Sequence, residues 1–86
     1  MQGKTKTGFE YNIPDDNLND YELFELISEV ETNALVLPKI VKKMLGNEGK
    51  NTLLDHCRDE HGRVPMEKIN EEIADIFSNQ SKIKNS

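Results

Sequence analysis

The sequence has few of the residues that supply covalent cross-links or large aromatic surfaces. Its 86 residues include one cysteine, no tryptophan and three prolines. A single cysteine excludes an internal disulfide, so nothing points to an oxidising compartment. No apolar run approaches the roughly 18 residues of a membrane span. The N-terminal stretch MQGKTKTGFEYNIP also lacks the apolar region of a signal peptide. We therefore expect a soluble, cytoplasmic protein.

Recognisable reaction chemistry is missing as well. The stretch HCRDEHGRVPME, residues 56–67, holds the cysteine and both histidines. As a calcium loop with Gly62 at its sixth position, it puts Cys57 and Lys68 at the first and twelfth positions, where calcium needs oxygen ligands. As a zinc site it fails because neighbouring helical residues such as His56 and Cys57 project about 100° apart. Cys57 fits an apolar helix face, where a thiol is inert, so we expect no catalytic residue, metal or cofactor and interpret the stretch as a joint between helices.

Positive charge is scarce and unevenly placed. The net charge is −5, with seven acids and no base from Asp15 to Glu31, and four lysines with one acid from Lys39 to Lys50. Nucleic-acid-binding proteins usually carry a basic face, so this balance argues against such a partner. The segregated charges are either solvated helix faces or a dipolar surface that meets a charged protein or a second copy of the chain.

Alternating side chains near the N-terminus predict a strand. Phe9, Tyr11 and Ile13 fall on one side of an extended chain, and polar residues fall on the other. Gly8 leaves two possibilities open: one strand with a glycine bulge, or a hairpin that turns near this glycine.

Apolar spacings of three and four residues predict four helices after this segment. The first spans about 17–31, and the second opens near Pro38 and ends at Gly46. The third is capped by Asn47 or Asn51 and ends near residue 60, after which Pro65 opens the fourth.

The fourth helix is predicted to bury one stripe and to expose its acids. The buried stripe comprises Met66, Ile69, Ile73, Ile76 and Phe77. The acids placed in solvent are Glu67, Glu71, Glu72 and Asp75. The fold class is therefore mainly α: a small bundle of about four short helices with a short N-terminal β-strand or hairpin. The chain is predicted to be a single domain over 1–86, ordered over about 5–77, with a polar tail over 78–86.

Some apolar residues lie outside these buried stripes. Tyr21 and Phe24 either widen the core face of the first helix or, with Phe24 off the stripe, form a patch for a partner. The run from Ala34 to Leu37 is longer than one stripe accommodates, so part of it is predicted to lie under the loop or to be exposed.

Four stretches, in order, carry a resemblance to a known family. They are T-x-T-G-F-E-Y-x-I, N-D-Y-E-L-F-E-L, L-P-K-I-V-K-K-M-L-G and R-D-E-x-G-R-V-P-M-E-K-I. The chain, from about residue 5 to residue 77, resembles the small tail assembly chaperones of long-tailed bacteriophages and prophages of Gram-positive bacteria. The resemblance implies a non-enzymatic protein of the host cytoplasm that coats the tape measure protein and brings tail tube subunits to it. It also implies a mostly helical fold, self-association and a longer frameshifted form.

The residues left off the main stripes define a hypothetical partner surface. Its apolar contacts and its electrostatic rim are predicted to be Phe24, Leu35, Val36, Lys39, Lys42 and Lys43. A helix laid in a groove is the contact that a long helical partner would make. An alternative hypothesis, drawn from the acids of 15–31, is a small acidic regulator that occupies the basic face of a DNA-binding protein.

Overall fold

The computed structural model describes the backbone of residues 1–85 and the side chains of residues 1–79. Within them the chain forms a two-stranded hairpin followed by four α-helices, which confirms the predicted fold class. The elements are β1 (Gln2–Lys4), β2 (Glu10–Asn12), α1 (Asp15–Leu18), α2 (Tyr21–Glu29), α3 (Leu37–Cys57) and α4 (Met66–Asn85), with a 3-10 turn at Ala34–Val36 before α3.

The N-terminal segment is the hairpin, and its turn depends on a glycine. β1 and β2 are antiparallel with Gly3 opposite Tyr11. The turn is closed by the Gly8 amide, which donates to the Thr5 carbonyl at 3.0 Å. Gly8 has φ 96°, a conformation that side chains disfavour. At Gly3 the Tyr11 ring takes the space of a side chain, since a Cβ there would lie 2.3 Å from Tyr11 Oη.

The predicted helix over 17–31 is in fact two helices, and the break comes from a cap. Asp20 has extended backbone angles, and its carboxylate accepts the Glu22 amide at 2.9 Å, so α2 starts at Tyr21. The preceding α1 is a single turn that buries none of its residues. One aspartate among several was enough to end one helix and start the next.

The helix α3 joins the two helices that the sequence predicts on either side of Gly46. Gly46 has φ 73° and ψ 177°, which is not helical, so α3 bends there into two segments. Its first segment buries Leu37, Ile40, Val41 and Met44, as the stripe predicts. The second segment ends at Cys57, before the predicted end near residue 60.

The helix α4 begins directly after Pro65, as predicted, and buries Ile69, Ile73 and Ile76. Two predictions for this helix are wrong. Met66, the first residue of α4, is 63% exposed, and Glu72 is buried at 4% exposure. The predicted polar tail over 78–86 begins within α4, and the side chains of 80–86 lie outside the described residues.

One hydrophobic core joins β2 to α2, α3 and α4. Phe9, Tyr11 and Ile13 of the hairpin region pack with Leu23 of α2 and with the buried stripes of α3 and α4. A lone hairpin is marginal in water, and here the core supplies the surface that it needs. Among the described residues, no helix combines the length and the apolar character needed to cross a membrane.

Candidate protein-binding surfaces

The first candidate surface is an aromatic face on α2, made of Tyr21 and Phe24. Their ring centroids lie 6.4 Å apart. Tyr21 is 74% exposed and Phe24 is 66% exposed, so the pair belongs to the surface rather than to the core. Of the two alternatives for these residues, the structure supports the one with Phe24 off the core stripe. Aromatic side chains on a protein surface are a common source of binding energy because each buries a large area at little entropic cost.

The 3-10 turn after α2 contains two neighbouring residues that were both predicted to be exposed, and only one of them is. Asn33 caps this turn, because its side-chain oxygen accepts the Leu35 amide at 3.2 Å. The turn directs Leu35 outward, at 84% exposure, and Val36 inward, at 7%. The predicted exposure of Val36 is therefore wrong, since its side chain is part of the core and is not available to a partner.

The predicted lysine rim is also divided. Lys43 Nζ lies 3.2 Å from Asp20 Oδ2 and 3.9 Å from Glu22 Oε1, so this ammonium already has acidic partners. The hydrogen bond from Lys43 holds the pKa of Asp20 below its ordinary value. Lys39 and Lys42 are exposed.

Lys43 is engaged by acidic groups at the start of α2. Lys43 contacts α2 on the side of Glu22. Residues two apart on a helix, such as Glu22 and Phe24, project about 160° from each other. Of the two acidic partners of Lys43, Glu22 therefore projects away from Phe24, whereas Asp20 is the N-cap that precedes α2.

A second candidate surface, which was not predicted from the sequence, is an apolar groove between α3 and the start of α4. Its apolar lining includes Leu37, Pro38, Val41, Leu54, Val64 and Met66. Ile69 completes the apolar lining, and Lys50 is the charged residue among those that line the groove. The bend at Gly46 brings Lys50 and Leu54 into the same groove as Pro38. The groove depends on the angle of this bend. The spacing of apolar residues does not determine that angle, so the groove could not be predicted from the sequence.

The residues of the HCRDEHGRVPME stretch form a helix end and a turn. Asp59 Oδ1 accepts the His61 amide at 2.9 Å and the Arg63 amide at 3.0 Å, and Gly62 follows with φ 81°. Cys57 is buried, and burial together with the nearby Glu72 raises the pKa of its thiol. In the part of the chain that the structure describes, no three His, Cys, Asp or Glu residues are placed to hold a metal ion.

A polar network around the buried carboxylate of Glu72 fastens the hairpin turn to α4. Glu72 accepts hydrogen bonds from Thr5 Oγ1 and Thr7 Oγ1, each at 2.8 Å. His56 Nε2 lies 2.9 Å from Thr7 Oγ1. Since the one hydroxyl hydrogen of Thr7 is taken by Glu72, His56 is the donor in that contact. The ring of His56 also lies against Phe9, with centroids 5.5 Å apart.

This network was missed in the sequence, although a signal for it exists. Glu72 lies three residues after Ile69 and four before Ile76, which is a position on the buried stripe. A carboxylate at such a position needs hydrogen-bond donors from another element, because a buried charge without partners is costly. Here Thr5 and Thr7 supply them, so the network stabilises the fold.

Comparison of the chain with protein-family models, with curated proteins and with solved structures yields no match.

Proposed function

We propose that the protein is a non-enzymatic tail assembly chaperone of a long-tailed phage or prophage. In this role it binds the tape measure protein in the host cytoplasm and helps to recruit tail tube subunits. The resemblance of the four sequence stretches to that family supports the proposal. So does the surface of the fold, which leaves Tyr21, Phe24, Leu35 and Met66 more than 60% exposed.

The exposure of these large side chains is the observation that carries the proposal. A chain of 86 residues has a modest core. Its large hydrophobic side chains would contribute most to stability if they were packed inside. Leaving aromatic residues in water is consistent with a surface that is covered part of the time by another protein. A chaperone for a long helical protein needs such a surface.

The proposed contact consists of the aromatic face on α2 and of Leu35, because the 3-10 turn that carries Leu35 packs against α2. Lys39 and Lys42 remain as exposed cations on α3, and Val36 and Lys43 drop out of the contact for the reasons given above. The contact is therefore more aromatic and less basic than the sequence predicted.

Co-purification tests this function. The tagged protein is co-expressed with the tape measure protein of the same phage or prophage, and the soluble tape measure protein that it retains is measured. We expect capture by the wild type and a loss of about ten-fold or more in Phe24→Asp, as for a truncated hot-spot residue. Leu35→Asp is expected to act in the same direction.

Asn51→Asp is the matched control, since it adds the same charge at an exposed position of α3. It is expected to retain full capture. Failure of the wild type to capture the tape measure protein would contradict the function. Full capture by Phe24→Asp would instead contradict the proposed surface.

A regulator that covers the basic face of a DNA-binding protein is the second candidate. The exposed carboxylates of α1 and α2 favour it: Asp15 is 98% exposed and Glu22 is 77% exposed. This function predicts salt-sensitive binding to a basic protein that is weakened by Glu22→Gln and Glu25→Gln. The position of the gene separates the two candidates, because a chaperone gene is expected between the genes for the tail tube and the tape measure protein.

A further inference from the structure

The apolar groove between α3 and α4 is distinct from the aromatic face and goes beyond the proposed function. We propose that it binds a short amphipathic α-helix of a protein partner, with apolar side chains in the groove and an acidic side chain beside Lys50. The proposal rests on the composition of the groove, which is lined by apolar side chains of two helices and by one lysine.

The lining of the groove is suited to apolar side chains of another chain. Leu37 and Val41 are buried, whereas Leu54 and Val64 are only half-buried. Met66, at 63% exposure, stands at the edge where α4 begins. Methionine adapts its shape to what it contacts and is frequent on surfaces that bind helices. An apolar segment laid here would cover the half-buried residues and the exposed Met66 together.

The walls of the groove select a helix over an extended segment. The groove residues lie on α3, on α4 and on the loop before α4, and no strand of the sheet contributes to it. Helix walls use their backbone hydrogen bonds internally, so they offer no ladder to a bound strand. A strand placed here would gain no backbone hydrogen bonds from these walls, whereas a helix satisfies its own amides.

The charge at the groove selects an acidic partner. Lys50 lines the groove. Lys42 lies one turn after Pro38, on the same side of the first segment of α3. Within the part of the chain that the structure describes, neither lysine takes part in an ion pair, while Lys43 on the other flank does. An acidic side chain on the bound helix would give these lysines their partner and would set the direction in which the helix lies.

Two synthetic peptides test the proposal on the intact protein. Both carry leucines at positions i, i+3, i+4 and i+7 of a helix, flanked in one peptide by glutamates and in the other by lysines. Binding is followed by fluorescence anisotropy of the labelled peptide and by amide NMR shifts of the protein. We expect the glutamate peptide to bind more tightly and to shift Leu54, Val64 and Met66.

Charge reversal gives the sharper comparison. Lys50→Glu is expected to weaken the glutamate peptide by about five-fold and to strengthen the lysine peptide, since an attraction becomes a repulsion at a partly solvated site. Lys39→Glu makes the same charge change on α3 outside the groove and is expected to leave both affinities unchanged. Met66→Gln, at an exposed position, is expected to weaken both peptides without loss of folding.

Several results would overturn the proposal. They are equal affinity for both peptides, no effect of Lys50→Glu, or shifts centred on Tyr21 and Phe24. Shifts of Val64 and Met66 on concentrating the protein without peptide would show that a second copy fills the groove, which also overturns it. The tape measure protein is absent from this experiment, so failure here leaves the proposed function standing, and failure of co-purification leaves this proposal standing.

Discussion

The hydroxyl of Thr5 serves two groups at once, because it donates to Glu72 at 2.8 Å and accepts the Phe9 amide at 3.1 Å. Thr5 and Glu72 are each 4% exposed, so water cannot replace either contact. Leaving a buried donor or acceptor unpaired costs more than a hydrogen bond contributes when it is made. The threonine is therefore a structural requirement, although nothing in its sequence context marks it.

Replacing this hydroxyl tests that requirement. Thr5→Val keeps the shape of the side chain but leaves both Glu72 Oε1 and the Phe9 amide without this partner. We expect a loss of about 1–3 kcal/mol in the free energy of unfolding, measured by chemical denaturation. Thr52→Val is the matched control, because Thr52 is exposed on α3, and it is expected to change stability by less than about 0.5 kcal/mol. Equal effects of the two variants would contradict this role of Thr5.

Asp20 makes a second prediction at the scale of one residue. Its pKa lies below the ordinary 3.8 chiefly because the Lys43 ammonium donates to its carboxylate. A depressed pKa in the folded state stabilises the fold above the ordinary pKa, and this contribution disappears as the pH falls through the depressed value. We expect an NMR titration of the Asp20 carboxyl carbon to show a midpoint below 3.8, and Lys43→Gln to raise it.

Lys42→Gln removes the same charge one residue away, where Asp20 is not contacted, and serves as the control. It is expected to leave the Asp20 midpoint where the wild type has it. A midpoint that is unchanged in Lys43→Gln would show that Lys43 does not set this pKa.

Among the elements, α3 depends on the conformation of one residue. Gly46 combines φ 73° with ψ 177°, a region that only glycine adopts readily. Residues on both sides of this bend line the groove, with Pro38 before it and Leu54 after it. No neighbouring atom lies within 4 Å of the position of a Cβ at Gly46, so the backbone angle alone opposes substitution.

We therefore expect Gly46→Ala to lower the free energy of unfolding by about 1–3 kcal/mol, measured by chemical denaturation. Asn51→Ala, at an exposed site in the second segment, is expected to be neutral or slightly stabilising because alanine favours helix. A neutral Gly46→Ala variant would indicate that α3 can run straight through this position.

The 3-10 turn allows a comparison between two adjacent residues. Val36 is 7% exposed and Leu35 is 84% exposed. We expect Val36→Ala to cost about 1.5–3 kcal/mol of stability because a buried side chain is truncated. Leu35→Ala should stay within about 0.5 kcal/mol. Thermal or chemical unfolding measures both, and a larger loss in Leu35→Ala would contradict the assignment of inside and outside.

Much of the fold could be predicted from spacing, and the errors have definite causes. The stripe from Leu37 to Met44 and the glycine at 46 were sufficient to place the first segment of α3, although the helix was predicted to end at Gly46 rather than to bend there. The cap at Asp20 was missed because it is one of several consecutive polar residues that could all begin a helix. The sequence could not show which of Leu35 and Val36 is buried. In a single 3-10 turn, the direction of each side chain depends on how the turn is anchored, here by Asn33.

Less of the candidate surfaces than of the fold could be predicted from the sequence. The apolar excess at Phe24 and Leu35 was predictable, since these residues lie off the stripes. The groove was not predictable, because it is formed where α3 bends and meets α4, and this geometry comes from tertiary packing. Lys43 was assigned to a partner for the same reason: its contact with Asp20 joins residues 23 positions apart.

At the scale of the whole molecule, hydrogen bonds join the N-terminal hairpin to α4, the last helix. Thr5 and Thr7 reach Glu72, and the Lys6 amide donates to Asp75 Oδ2 at 2.6 Å, all across more than 60 residues of sequence. The aromatic face and the groove lie on the outside of this closed unit. A partner can therefore bind either surface without opening the core.

This closure predicts how the molecule unfolds. The Thr5 amide donates to the Phe9 carbonyl at 2.9 Å within a hairpin that would not be stable alone. Because Phe9 and Tyr11 belong to the same core as Ile73 and Ile76, the hairpin cannot detach without exposing that core. We expect native-state hydrogen exchange to give the Thr5 amide the same opening free energy as the amides of Ile73 and Ile76, with the denaturant dependence of global unfolding.

The amide of Asn19 provides the internal comparison. It donates to the Asp15 carbonyl at 3.0 Å, but it ends α1, which buries none of its residues. We expect it to exchange through a local opening of much lower free energy that depends little on denaturant. If the Thr5 amide exchanged as Asn19 does, the hairpin would open independently. The contacts of Glu72 would then stabilise only the hairpin, because the rest of the core would stay folded without them.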